Sequence, residues 1–64
     1  MVKIFKNEYW NVRGSFPGKR DFGNWLFRIG GDTFWAMDCY YQEAEKRAKK
    51  KARSVKIFHI WLLA

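Results

Sequence analysis

Between Tyr41 and Ala52 the apolar residues fall three or four positions apart, at Tyr41, Ala44, Ala48 and Ala52, and Val55 continues the row. That spacing lays one apolar stripe along an α-helix. Three of the stripe residues are alanines, so whatever the helix covers must approach its backbone closely, as a sheet of large side chains can. A chain of 64 residues has little else to hold it together. It buries only about 60% of the surface that its unfolded form exposes. Cys39 is alone, which excludes an intramolecular disulfide, and one Cys with one His falls short of a four-ligand structural zinc site.

The remaining segments supply strands. Val2 to Phe5 reads as a short strand, Asn7-Glu8 as a turn or bulge, and Tyr9 to Arg13 as a second strand segment. Residues 14–23 hold three of the five glycines and the only proline and form the main loop. Asn24 to Ile29 and Thr33 to Met37 are rich in β-branched and aromatic residues, and Gly30-Gly31-Asp32 between them signals a hairpin. Asp38 suits the N-cap of a helix running to about Arg53, and Val55 to Leu62 reads as a last strand, apolar on both faces. The expected fold is α+β: a three- to five-stranded antiparallel sheet packed on one helix, in the order β-β-β-(β)-α-β, as one domain over residues 1–64. Early Glu43 and Glu45 and late Lys49, Lys50, Lys51 and Arg53 suit the helix dipole, and Glu43–Arg47 and Glu45–Lys49 are favourable i,i+4 pairs.

Alternation along the strands sorts the side chains. Trp25, Phe27, Ile29, Phe34 and Ala36, with Trp10 and Val12, form the face expected beneath the helix. Tyr9, Asn11, Arg13, Leu26, Arg28, Thr33, Trp35 and Met37 form the other, which no helix is left to cover. Arginine among exposed rings suits nucleic acid, where cations meet phosphate or base edges and rings stack. Burial of Leu26, Trp35 and Met37 by the C-terminal strand or a second copy of the chain is the competing reading. That strand is central in the sheet, or it forms a homodimer edge or docks a partner.

Several residues resemble a known family. Tyr9-x-x-Val12-Arg13, Gly23-x-Trp25-x-x-x-Ile29, Trp35 and Glu43-Ala44-x-x-x-Ala48 follow the order found in the Apetala/ethylene-response type of DNA-binding domain and the related arm-binding domains of phage integrases. The resemblance covers about Tyr9 to Arg53. It implies a three-stranded antiparallel sheet packed on one helix, with the sheet in the major groove and Arg13 and Trp35 facing DNA. Trp10 and Gly30 stand where plant members carry base-reading arginines, so no sequence specificity carries over. The strand-strand-helix ending is also similar to the C-terminal part of double-stranded-RNA-binding domains.

Charge points the same way. The net charge is +7, with 48% hydrophobic and 20% aromatic residues, which disfavours both an acidic DNA mimic and a disordered basic tail. Seven of the 13 basic residues lie between Lys46 and Lys56. A solvated helix face explains such a run, and so does contact with phosphate or an acidic protein. The candidate binding residues are Arg13, Arg28 and Trp35 on the sheet, Lys19 and Arg20 in the loop, and Lys46, Lys49, Lys50 and Arg53 on the helix.

Cys39 and His59 are the one pair that suggests nucleophilic chemistry, but a dyad needs hydrogen-bond reach and a third, orienting group. No phosphate-cradling glycine motif occurs, so the chain reads as non-enzymatic, without cofactor or metal. Met1 to Glu8 lacks the apolar core of a signal peptide, and no stretch approaches the ~20 apolar residues of a membrane span. The expectation is a cytoplasmic nucleic-acid-binding module, duplex DNA ahead of RNA. The alternative is an inhibitor of the kind phages and mobile elements encode, anti-CRISPR-like, which occludes an acidic or nucleic-acid-processing host protein.

Overall fold

The computed structural model describes residues 2–63 and is α+β, with two helices and a four-stranded sheet. In chain order the elements are β1 (Lys3–Phe5), α1 (Asn7–Arg13), β2 (Phe22–Ile29), β3 (Asp32–Tyr40), α2 (Tyr41–Ser54) and β4 (His59–Leu62). The sheet order is β1-β4-β2-β3. β2 is antiparallel to β3 and to β4, but β1 runs parallel to β4, with Ile4 opposite Ile60. The sheet is therefore mixed where an antiparallel one was expected. β4 is paired with β1 on one edge and β2 on the other, so it is central in the sheet and neither edge is open to a second copy; Ile60 and Leu62 are buried while His59 is exposed on its opposite face.

α2 lies on the sheet as its stripe demands. Tyr41, Ala44, Ala48 and Ala52 are buried against Trp25, Phe27, Ile29, Ala36, Cys39, Ile60 and Leu62, and Phe34 and Ile57 pack beside them. The Trp25 indole N–H, buried with the ring, donates to the Cys39 carbonyl at 3.1 Å. Val55 is outside this core and half-exposed.

Three segments differ from expectation, each for a local reason. Tyr9 to Arg13 is helical. Gly14, left-handed at φ 75°, closes that helix by donating to the Trp10 carbonyl at 2.7 Å. The rotation from strand to helix buries Tyr9 against Trp25, at 6.0 Å between ring centroids, and leaves Trp10 and Val12 46% and 73% exposed. The first strand that the family resemblance implies is thus a helix here.

Asp38 is not a cap. β3 runs past it to Tyr40, and Asp38 stands at φ 51° where β3 carries one residue more than β2. Its N–H is received by the Asn24 side-chain oxygen at 2.9 Å, making a bulge of the kind aspartate tolerates. At the far end of α2, Lys56 donates to the Arg53 carbonyl and Ile57 to the Ala52 carbonyl, with Lys56 left-handed at φ 59°. This pair of backbone hydrogen bonds stops the helix and delays β4 until His59.

A lysine in that left-handed position carries a penalty that glycine avoids, of roughly 1–2 kcal/mol before the lost charge at the helix end is counted. Lys56→Gly is expected to raise stability by about 0.5–1 kcal/mol in urea denaturation. A loss of stability would mean that the Lys56 side chain contributes contacts of its own. Ala48→Leu, by contrast, wedges the helix off the sheet and should cost about 1–3 kcal/mol.

Candidate nucleic-acid interface

The long loop between α1 and β2 does not float. Gly18 donates to the Asp21 carboxylate at 2.8 Å, and Asp21 N–H returns to the Gly18 carbonyl at 3.1 Å, closing a tight turn. That turn is tied to the start of α2. The Tyr41 N–H donates to the Asp21 carbonyl at 2.8 Å and the Gln42 N–H to the Lys19 carbonyl at 3.1 Å. Tyr40, in the cap position, makes no side-chain cap bond. Two of the four donors orphaned at a helix start are thus satisfied by loop carbonyls, not by the expected side chain.

This tie brings distant lysines together. Lys6 at the start of α1, Pro17 and Lys19 from the loop, and Tyr41, Gln42, Glu45, Lys46 and Lys49 of α2 line a cleft of about 440 Å³. The Lys6 ammonium sits over the Tyr41 ring, 5.4 Å from its centroid. Lys49 pairs with Glu45 at 3.0 Å. Burial works to raise the Glu45 carboxyl, but the Lys49 ammonium and the neighbouring Tyr41 hydroxyl outweigh it and hold the group below its usual range. Burial first, and the Glu45 charge second, push the Tyr41 phenol far above its ordinary value, so it keeps its proton. That hydroxyl is buried beside the Glu45 carboxylate.

Of the candidate residues read from sequence, Lys19, Lys46 and Lys49 meet in this cleft. By helical spacing Arg53 lies one turn beyond Lys49 on the same flank of α2. Lys50 lies on the other flank, with Arg47 and Lys51 beside Phe34. Arg47 is paired with Glu43 at 3.6 Å and reaches the Met37 carbonyl at 3.5 Å. Arg20 is exposed in the tied loop. Lys6 was not singled out by sequence reasoning. It stands thirteen positions from Lys19 and forty from Lys46, and only the packing of α1 brings it near them.

The open face of the sheet is a separate surface. Arg13 is not on it; it ends α1, with its guanidinium 5.6 Å from the Tyr9 ring centroid. Arg28 is, but it is half-buried, 5.2 Å over the Trp61 ring and 3.7 Å from Glu8. Around it stand Phe5, stacked on His59 and Trp61, then Leu26 and the half-exposed Trp35 and Met37. Cys39 is buried on the core face while His59 is exposed on this one, so the two do not form a dyad.

Comparison of the chain with protein-family models, with curated proteins and with solved structures found no match. Among the described residues, no helix is long and apolar enough to cross a membrane.

The loop tie carries a prediction. Asp21→Ala removes the carboxylate that closes the turn, so stability should fall by about 1 kcal/mol in thermal or urea unfolding. Amide exchange at Gln42 should accelerate with it. Unchanged exchange there would mean that Lys19 is placed by something other than the turn.

Proposed function

We propose that this chain is a non-enzymatic nucleic-acid-binding module that grips the phosphate backbone with the cleft and the Lys46–Lys49–Arg53 flank of α2. The observation that carries this reading is the meeting of Lys6, Lys19, Lys46 and Lys49, drawn from three separate segments, around a single carboxylate. From Lys46 to Arg53 is seven residues, about 10 Å along the helix. One strand of B-form DNA presents about three phosphates over that length. The sheet arginine is less suited to the task, because Arg28 is already engaged by Glu8 and Trp61. Duplex DNA is the preferred ligand, since a rigid rod of closely spaced charge matches a straight helical row.

A second reading rests on the opposite face. Trp35 and Met37 are 53% and 51% exposed on the sheet face turned away from α2. Such a surface suits a protein partner, and it supports the inhibitor role, in which the chain docks on an acidic or nucleic-acid-processing protein. The two readings use different sides of the molecule, so variants separate them.

Fluorescence anisotropy of labelled duplex DNA, titrated with protein at several salt concentrations, tests the first. With three to five phosphates contacted, log K should fall against log salt with a slope of about −3 to −4.5. Lys46→Gln with Arg53→Gln should weaken binding and flatten the slope by about 2, whereas Trp35→Ala should leave both nearly unchanged. Binding that is lost in Trp35→Ala and indifferent to the helix double variant would overturn the assignment and favour the sheet face.

A further inference from the structure

The cleft differs from the rest of the basic flank in form. Lys46 and Arg53 offer single charges along a helix, but at the head of that row the loop and the start of α1 close in. Lys6, Lys19, Lys46 and Lys49 then face one volume of about 440 Å³, within the range of small-ligand sites. One of these cations, Lys49, is partly spent on Glu45 at 3.0 Å. The other three make no ion pair among the described residues. A backbone phosphodiester brings one negative charge and continues in both directions. A terminal phosphomonoester brings close to two charges and three free oxygens, and it ends the strand. A volume walled by three chain segments suits a strand end better than a strand passing through.

The buried Tyr41 hydroxyl adds a further polar group to the cleft. It belongs to a residue that lines the cleft and is 3% exposed, it keeps its proton, and it shares the cleft with the Glu45 carboxylate. A phosphate oxygen arriving beside it offers the hydroxyl an acceptor additional to Glu45.

Resting on the nucleic-acid reading above, we propose that the cleft is a binding site for the terminal phosphate of a nucleic-acid strand, held by the Lys6, Lys19 and Lys46 ammonium groups above the Tyr41 ring. Strand ends are then the preferred sites on DNA, and the α2 flank holds the phosphates that follow. Glu45, the one opposing charge in the cleft, tempers the affinity.

The test compares one 12-base-pair duplex carrying 5′-phosphates with the same duplex carrying 5′-hydroxyls, by anisotropy at fixed salt. The phosphorylated duplex is expected to bind at least about tenfold tighter, the gain of one good charge-assisted contact. Lys6→Gln and Lys46→Gln should each abolish most of that preference, Lys51→Gln on the other flank should keep it, and Glu45→Gln should enlarge it. Inorganic pyrophosphate should compete for the phosphorylated end and leave weaker, end-independent binding behind. Circular dichroism of each variant establishes that it is folded, so that a lost preference reports on the site. Equal affinity for the two duplexes overturns the end-phosphate site and leaves the backbone reading standing. Absence of binding to either duplex at physiological salt overturns both.

Discussion

The contact on which everything else depends is the alanine stripe of α2 against the sheet. Ala44, Ala48 and Ala52 are fully buried over Phe27, Ile60 and Leu62, which are fully buried in turn. Because the helix contributes almost no side-chain volume, the sheet supplies the bulk, and helix backbone and sheet stay close. Close approach fixes which parts of α2 emerge on either side. One flank presents Gln42, Glu45, Lys46 and Lys49 to the loop and α1, and the other presents Arg47, Lys50 and Lys51 beside Phe34. A wider helix–sheet spacing would leave the loop turn out of reach of the Tyr41 and Gln42 N–H groups, and with it the placement of Lys19.

The elements with a strong local pattern were legible in the sequence. The helix stripe, the Gly30-Gly31 hairpin, the core face of β2 and β3, and both ion pairs within α2 follow from spacing alone. What sequence reading missed was decided by backbone groups whose partners are distant. In residues 9–13 both periods fit, because five residues hold neither a full strand alternation nor two helical turns. The left-handed Gly14 decided for the helix, and it was the available signal for a helix end. Asp38 had the chemistry of a cap, but the orphan donors of α2 were met by loop carbonyls, which freed Asp38 to form the bulge with Asn24. The site was less legible than the fold. Lys19, Lys46 and Lys49 were visible as charges, but their convergence with Lys6 depends on the loop tie, and nothing local in the sequence encodes it.

The two exposed surfaces are chemically distinct. The α2 side is cationic with one acid in the cleft, while the open sheet face is aromatic and its one sheet arginine is already engaged. Charge and apolar area are thus separated onto two sides of a small chain, and neither surface includes the core that holds both in place. The same separation makes the central claim a question of which face responds.

That claim is tested most directly by ¹⁵N-resolved NMR of the protein titrated with an unlabelled DNA duplex. Shifts are expected to concentrate at Lys6, Lys19, Gln42, Lys46, Lys49 and Arg53, while Leu26, Trp35 and Met37 stay in place. Perturbations centred on Trp35, Trp61 and Arg28, with the α2 flank silent, would contradict it and move the interface to the sheet.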